Sequence, residues 1–340
     1  MKVVYHPAHH DHAGEAILIE GQFRPPVEAP ERAALILQAV QDAGFNVEEP
    51  PDYGLEPLKA VHDEHFLDFL EHAYSRWHAR YGDSNARPRV WATRGFVQRP
   101  TASIDGQLGF YAYDASTPIT KYAYQAARAS ANSAIHAAKY IQQGEKSAFA
   151  LCRPPGHHAM FDRYGGFCFL NNAAIAAQIL LDAGIRPAIL DVDYHHGNGT
   201  QHIFYDRPVL TCSIHADPDA NYPFFMGFAD ETGTGKGAGY NLNLPLADGT
   251  TWTVFSGALE QACNRIQQDK AEVLVVPLGV DTYVGDPLGT FALEPADFTA
   301  LGQMLAELDI PTLFVMEGGY ATHALGNNVV RVLQGFMAHG

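Results

Sequence analysis

Short apolar runs rich in β-branched residues alternate along the chain with longer segments in which apolar residues recur at helical spacing. The short runs are apolar at nearly every position, which is typical of parallel strands buried on both faces. The alternation therefore predicts an α/β fold in which helices cover both faces of a parallel sheet. We predict strands at residues 2–5, 148–152, 188–192, 209–214, 273–278 and 312–316. We predict helices at residues 31–43, 64–80, 122–142, 173–183, 253–268, 296–307 and 321–337.

Residues 82–120 interrupt this alternation, because they contain Pro88, Pro100 and Pro118 and no regular apolar pattern. An irregular stretch of this length inside a compact domain is usually a functional loop or an interface. The alternative is a mobile surface insertion. We therefore expect one domain over residues 1–340 that carries an insertion at about 82–120.

The chain of 340 residues has 22 basic and 38 acidic side chains and a formal net charge of −16. Such a surface repels phosphate, which argues against nucleic acid as a partner, and it attracts small cations. No apolar run approaches the roughly 18 residues that span a bilayer, and the N-terminus turns polar after five residues. The four cysteines form no C-x-x-C pair. We expect a cytoplasmic protein with buried thiols and no membrane contact.

Candidate chemistry follows five of the predicted strands. In parallel α/β sheets the carboxyl ends of the strands share one edge, where ligands bind. We therefore expect the side chains that follow these strands to meet. They lie in the segments Arg153-Pro-Pro-Gly-His157-His158, Asp191-Val-Asp193-Tyr-His195-His-Gly-Asn198-Gly, His215, Gly279-Val-Asp281 and Glu317-Gly-Gly-Tyr320.

Asp193 and His195 are two residues apart on an extended segment, so their side chains point the same way. Asp281, from another strand end, supplies a third ligand. Two carboxylates and one imidazole leave a position open for water, as in catalytic zinc sites, and the same donors suit Fe(II) or Mn(II). An isolated pair of this kind is more often a strand-end cap and a core histidine. The presence of Asp281 favours the metal site.

Two further groups suit proton transfer and oxyanion binding. His157 and His158 are a tandem pair, and imidazoles titrate near neutral pH. The alternative is that they are two histidines of a surface loop without a catalytic role. Tyr320 follows two glycines that would let the chain turn its phenol toward a developing oxyanion, the alternative being an ordinary buried tyrosine. Neither serine nor cysteine occurs in a nucleophile elbow.

Taken together, these segments resemble the zinc-dependent histone deacetylase superfamily over nearly the whole chain. The resemblance also rests on Gly165-Gly-Phe-Cys-Phe-Leu-Asn-Asn172 and on the order of the motifs. Within the superfamily the chain is most similar to bacterial acetylpolyamine amidohydrolases. The segments that point to this group are Pro25-Pro-Val-Glu-Ala-Pro30, Ile104-Asp-Gly-Gln-Leu-Gly-Phe-Tyr111 and Tyr222-Pro-Phe-Phe-Met-Gly-Phe228.

The resemblance implies the arginase-deacetylase fold with a central eight-stranded parallel sheet. It implies zinc bound by Asp193, His195 and Asp281, with His158 as general base and acid, His157 as its electrostatic helper and Tyr320 at the oxyanion. It implies that Asp191 and Asn198 are the partners behind the histidines. Further expectations from it are a substrate tunnel lined by Gly166, Phe167 and Phe225, and a structural potassium ion held by Asp191, Asp193, the His195 carbonyl, Ser213 and Ile214. In relatives, an insertion like residues 82–120 builds the interface of a homodimer.

Two departures from the family pattern concern the site. Asn198 stands where many histone-type members have aspartate, so we expect a less basic His158 with catalysis retained. Ser116 aligns where a polyamine-specific relative has an acidic residue. Glu20, Asp105 or Asp114 are the other candidates for binding the distal ammonium.

The expected activity is hydrolysis of an N-acetyl group from a cationic alkylamine such as acetylputrescine, acetylcadaverine or acetylspermidine. An acetyl-lysine deacetylase acting on proteins would use the same chemistry. A ureohydrolase on the related fold would need more bridging carboxylates for a binuclear metal cluster. A binding module without activity would not need the intact set of Asp193, His195, Asp281, His158 and Tyr320.

Overall fold

Strands and helices alternate along most of the chain, as the apolar pattern predicts. The computed structural model describes residues 1–14, 16–19, 21–93 and 97–338. The strands are β1 (Lys2–Val4), β2 (Ile17–Ile19), β3 (Gln22–Arg24), β4 (Asn46–Glu48), β5 (Ser147–Ala150), β6 (Pro187–Asp191), β7 (Leu210–Ala216), β8 (Asn241–Leu246), β9 (Val273–Leu278) and β10 (Thr312–Met316). The helices are α1 (Pro30–Asp42), α2 (Glu56–Lys59), α3 (Glu64–Tyr81), α4 (Ile104–Tyr111), α5 (Ala123–Gln142), α6 (Asn172–Asp182), α7 (Asn198–Phe204), α8 (Trp252–Asp269), α9 (Pro295–Ala306) and α10 (Leu325–Met337).

Eight strands form one sheet in the order β4-β1-β5-β10-β9-β6-β7-β8, and every neighbouring pair is parallel. This confirms the α/β fold and the eight-stranded parallel sheet. The five strands followed by candidate chemistry are consecutive neighbours, β5-β10-β9-β6-β7, in the interior of the sheet. Their carboxyl ends therefore bring the candidate side chains to one edge. The remaining two strands, β2 and β3, form a separate antiparallel hairpin.

The predicted strands are the ones buried on both faces. Every residue of β5, β6, β7, β9 and β10 is buried. The sequence pattern missed β4 and β8, which are the two edges of the sheet and are only partly buried. An edge strand faces solvent and tolerates polar residues, so it lacks a continuous apolar run.

Six of the seven predicted helices agree with the structure to within one residue at each end. The exception is α10, which begins at Leu325 and not at residue 321. The preceding residues form a loop that carries Tyr320, and the N–H groups of Tyr320 and Ala321 donate to the side chain of Asp286. The described residues of the segment 82–120, which are 82–93 and 97–120, are largely irregular, as predicted, but they contain α4. Across the described ranges, no helix combines the length and the apolar character that crossing a membrane requires.

Candidate active site

The three predicted metal ligands converge at the carboxyl edge of the sheet. Asp193 and Asp281 are fully buried, and His195 lies between their carboxylates. His195 Nδ1 is 3.2 Å from Asp193 Oδ1 and 3.0 Å from Asp281 Oδ2. One ligand atom from each of the three residues lies within 4.8 Å of the others.

The backbone around this cluster leaves room only for glycine. A Cβ at Gly279 would overlap the Asp193 carboxylate, and a Cβ at Gly318 would overlap the carboxylate of Asp281. Gly318 N–H donates to Asp193 Oδ2 at 2.8 Å, and Tyr194 N–H donates to Asp281 Oδ1 at 2.9 Å. These bonds orient both carboxylates, so that Asp281 keeps its other oxygen toward His195.

The negative charges of Asp193 and Asp281 favour a cation in this cluster. Burial alone would lower the pKa of His195, but the hydrogen bonds and charges of Asp193 and Asp281 raise it to about 10. Two buried carboxylates this close stabilise positive charge between them. Carboxylate oxygens and an imidazole nitrogen are suitable donors for Zn²⁺, Fe²⁺ or Mn²⁺. The residues present therefore fit a divalent cation.

The tandem histidines lie beside this cluster with different partners. Their ring centroids are 4.0 Å apart, and both side chains are buried. His157 Nδ1 is 2.9 Å from Asp191 Oδ2, and His158 Nδ1 is 2.6 Å from Asn198 Oδ1. Burial lowers the pKa of His157, but the charges of Asp191 and Asp193 outweigh it and raise the pKa to about 10.

His158 has the opposite shift. Burial, together with the charges of His157 and His195, holds its pKa well below the usual value. An amide oxygen only accepts hydrogen bonds, so Nδ1 of His158 carries the hydrogen that it donates to Asn198. The lone pair is then on Nε2. The surroundings of the pair thus favour the cationic form of His157 and the neutral form of His158.

A cavity of about 310 Å³ leads to these groups. His158, His195 and Tyr320 are part of its wall, together with the aromatic rings of Phe167, Tyr222 and Phe224 and the aliphatic side chains of Leu18 and Leu288. The Tyr320 ring meets Phe167 edge to face at 6.0 Å. Aromatic and aliphatic walls around a few polar groups suit an apolar chain that ends in a polar reacting group.

Of the three predicted tunnel residues, Gly166 and Phe167 line this cavity. The Phe225 side chain is 77% exposed, and its neighbour Phe224 is the residue in the wall. Gly166 has φ +58°, and a Cβ there would overlap the His158 ring. Phe167 and Phe224 have φ of +67° and +70°, which is rare for residues other than glycine and indicates strain held by the surroundings.

The candidates for amine recognition separate into two groups. Asp114 and Ser116 line the cavity. Asp105 lies elsewhere, because its carboxylate accepts from Tyr81 at 2.9 Å and pairs with Arg89 at 3.0 Å. Glu20 lies outside the described residues.

The Asp114 carboxylate accepts hydrogen bonds from four groups of the protein. It accepts from Gly166 N–H at 2.6 Å, from Tyr222 O–H at 2.8 Å, and from the N–H groups of Ser116 and Thr117 at 2.9 and 3.1 Å. It therefore ties residues 166 and 222 of the cavity wall to the end of the insertion. It adds negative charge to the wall at the same time.

Three of the five residues expected to hold potassium lie on neighbouring strands, and the other two, Asp193 and His195, follow β6. Asp191 at the end of β6 is opposite Ser213 of β7, and Ile214 follows Ser213. Asp191 Oδ1 accepts from Asp193 N–H at 3.1 Å, and the Ser213 hydroxyl contacts His215 Nδ1 at 2.8 Å. The segment behind the candidate zinc ligands is thus rich in oxygen atoms.

Sequence reasoning did not single out Arg32 or Asp286, and it placed Glu317 at a strand end without giving it a role. Arg32 is 2% exposed and donates to the carbonyls of Gly319 and Glu317 at 2.6 and 2.7 Å. The Glu317 carboxylate accepts from the N–H groups of Gly156 and His157 at 2.6 and 3.0 Å. A signal was present for Arg32, because it precedes buried Ile36 and Val40 at intervals of four on the apolar face of α1.

Comparisons with known proteins agree with this geometry. A family model described as the histone deacetylase domain matches residues 26–336. Acetylpolyamine amidohydrolase 2 of Pseudomonas aeruginosa is 50% identical over 339 residues, 99% of this chain and 98% of that protein. The acetylpolyamine amidohydrolase of Mycoplana ramosa is 46% identical over 338 residues, 98% of this chain and 99% of that protein. A crystal structure of the acetylpolyamine aminohydrolase from Burkholderia pseudomallei superposes with a TM-score of 0.96 at 41% identity, covering 100% of this chain and 99% of that one.

Proposed function

The chain belongs to the histone deacetylase family of hydrolases, and from this premise we propose that it removes acetyl groups from acetylated polyamines and diamines. Acetylputrescine, acetylcadaverine and acetylspermidine are the proposed substrates, and acetate and the free amine are the products. The observation that carries the proposal is the cluster of Asp193, His195 and Asp281 beside a cavity with aromatic walls that His158 and Tyr320 also line. The names of the similar proteins support the choice of substrate.

We assign the three ligands Asp193, His195 and Asp281 to Zn²⁺, with Fe²⁺ or Mn²⁺ as cations that the same donors accept. When bound, such a cation would supply Lewis acidity toward the acetyl oxygen and toward a water molecule.

The protein's own residues then account for the proton transfers. His158 accepts the proton of the attacking water at Nε2, because its Nδ1 hydrogen is engaged by Asn198. Tyr320 donates its hydroxyl hydrogen to the oxygen that becomes negative as the water oxygen bonds to the acetyl carbon. His158 returns the proton to the amine nitrogen as the carbon–nitrogen bond breaks. His157 stays cationic through Asp191 and favours the neutral form of His158.

The substrate's alkyl chain lies along Phe167 and Phe224 in this proposal, and its distal ammonium group faces the negative end of the cavity. Among the described residues of the wall, Asp114 is the one carboxylate. Its charge, the adjacent Ser116 and the net charge of −16 favour a cationic amine over a neutral one.

Two structural roles belong to the same proposal. We assign a structural potassium ion to the ligands Asp191, Asp193, the His195 carbonyl, Ser213 and Ile214. The assignment is supported by the pairing of Asp191 with Ser213 on the adjacent strands β6 and β7. We assign the insertion at 82–120 to a homodimer interface. The exposed Val90 and Trp91 support it, because apolar side chains in a proline-rich loop are typical of an interface. A Trp91→Glu variant that sediments as a monomer, beside a dimeric parent, would support this assignment.

The proposed substrate is tested by comparing kcat/KM on N-acetylputrescine, N-acetylcadaverine, N8-acetylspermidine and an acetyl-lysine peptide. We expect an acetylated diamine or polyamine to be preferred and the His158→Ala and Tyr320→Phe variants to lose most of the activity. A peptide preferred over every acetylated amine would replace the proposal by a protein deacetylase. Urea release from guanidino compounds would instead indicate a ureohydrolase.

A further inference from the structure

The peptide group between Gly319 and Tyr320 is held at both of its polar ends. Its carbonyl, that of Gly319, accepts from Arg32 Nε at 2.6 Å. Its N–H, that of Tyr320, donates to Asp286 Oδ2 at 2.6 Å, and the next N–H, of Ala321, donates to the same oxygen at 3.0 Å. The plane of this peptide is therefore set by two hydrogen bonds, and the one from the Arg32 guanidinium is charge-assisted.

Regular secondary structure does not orient this peptide. It lies in the loop between β10 and α10, and Gly319 has φ +122°, which only glycine adopts readily. The two side chains come from distant segments, Arg32 from α1 and Asp286 from the loop after β9. Asp286 itself is 7% exposed.

Asp286 also connects Tyr320 to the wall of the cavity. Its second oxygen, Oδ1, accepts from Leu288 N–H at 3.0 Å, and the Leu288 side chain lines the cavity. The same loop also carries the metal ligand candidate Asp281, five residues earlier. One carboxyl group thus connects the Tyr320 backbone to the Leu288 wall within the loop that carries Asp281.

We propose that Asp286 is a positioning residue that fixes the backbone of Tyr320 so that the phenol meets the oxyanion of the substrate. The inference rests on the proposed function, in which Tyr320 donates to that oxyanion. A donor stabilises an oxyanion at about 2.7–3.1 Å, so a shift of the Tyr320 backbone by a fraction of an ångström weakens the bond. Asp286 touches neither substrate nor cation in this role and acts through Tyr320.

The variant Asp286→Asn has nearly the same size but cannot accept on both sides. One oxygen becomes an NH₂ group, so either the N–H groups of Tyr320 and Ala321 or that of Leu288 lose their acceptor. The amide oxygen that remains is a weaker acceptor than a carboxylate oxygen, so the Tyr320 backbone is held less firmly in either orientation. We expect kcat for N-acetylcadaverine to fall roughly 10- to 100-fold, because aligned donors contribute on this scale, while KM changes less than about twofold.

A double-mutant cycle with Tyr320→Phe distinguishes positioning from a general structural effect. In the Tyr320→Phe background we expect Asp286→Asn to cause little further loss of kcat, because the hydroxyl it positions is gone. Asp297→Asn is the matched control, since Asp297 also accepts a backbone N–H, that of Glu294 at 2.7 Å, but in the first turn of α9. The control should lower the melting temperature and leave kcat unchanged.

Additive losses in the cycle, or an unchanged kcat for Asp286→Asn, would overturn the inference and leave the proposed function standing. An unchanged kcat for Tyr320→Phe would contradict the proposed role of Tyr320 and, with it, the inference. If Asp286→Asn does not fold, Asp286→Ala is carried through the same cycle, because it removes both acceptor oxygens without placing an NH₂ group against the backbone N–H donors.

Discussion

Asn198 Oδ1 lies 2.6 Å from Nδ1 of His158, so the histidine next to the candidate metal ligands is supported by an uncharged amide. Its neighbour His157 is supported by a carboxylate, that of Asp191, at 2.9 Å. Adjacent imidazoles with unequal partners have pKa values that diverge, one above and one below the ordinary value. The difference favours His158 as the proton acceptor in the proposed mechanism.

The Asn198→Asp variant tests this assignment. The added negative charge raises the pKa of His158, so the neutral base is lost at a higher pH than in the parent. We expect the acidic limb of the kcat/KM profile to move upward by about one pH unit or more, with activity retained above it. Profiles recorded from pH 5 to 9 measure the shift. Asn198→Ser, which keeps an uncharged acceptor, should leave the limb in place, and an unmoved limb in Asn198→Asp would argue against His158 as the base.

Removal of the cation is the second test. Dialysis against a chelator is expected to abolish hydrolysis, and stoichiometric Zn²⁺ should restore it. Asp281→Asn replaces one anionic ligand, so metal content measured by elemental analysis should fall about tenfold or more at equal free zinc. Asp217→Asn, at an exposed aspartate, should bind as the parent does. Chelated protein that is metal-free and fully active would contradict the metal site.

Ser116→Glu examines how the distal ammonium is recognised. Ser116 lines the cavity, and its hydroxyl donates to the Leu18 carbonyl at 2.7 Å. A carboxylate at this position should raise kcat/KM for acetylspermidine about fivefold at low salt, because opposite charges attract most strongly when unscreened. Ser116→Gln is the matched uncharged control. A gain that persists equally in Ser116→Gln, or at 1 M salt, would show that charge is not its cause.

We predict that the buried side chain of His62 makes the free energy of unfolding depend on pH. This effect is independent of catalysis. Its Nδ1–H donates to the Met160 carbonyl, and its Nε2 accepts from Asn171 N–H, each at 2.9 Å, so the folded protein requires the neutral ring. Burial lowers its pKa to about 4. In the unfolded chain the pKa is near 6.5, so between pH 6.5 and 4 the unfolded state binds more protons.

The contribution of His62 to the free energy of unfolding is therefore complete above pH 6.5 and declines as the pH falls toward 4. The decline amounts to about 3 kcal/mol at most, from the difference between the two pKa values. His62→Gln does not titrate, so the difference in urea stability between parent and variant should shrink on acidification. A difference that stays constant from pH 7 to 4.5 would contradict the prediction.

The interior strands and most of the long helices of this fold could be predicted from local sequence. Strands β5, β6, β7, β9 and β10 are buried along their length and mostly apolar, because helices cover both faces of the sheet. The helices repeat their apolar positions because one side packs on the sheet. The meeting of Asp193, His195 and Asp281 followed from the rule that carboxyl ends of parallel strands share an edge. The edge strands β4 and β8 were not predicted because they are partly exposed to solvent and therefore lack a continuous apolar run.

The contacts made by loop side chains could not be predicted from local sequence patterns. Asp286 reaches the Tyr320 backbone 34 residues later, and Arg32 reaches Gly319 across 287 residues. Likewise Phe224 lines the cavity while Phe225 is exposed, and Asp105 pairs with Arg89. Apolar periodicity records which side of an element is buried, so it reports on helices and strands. The position of a loop side chain depends on which distant donors and charges the completed sheet brings beside it, and no local pattern carries that information.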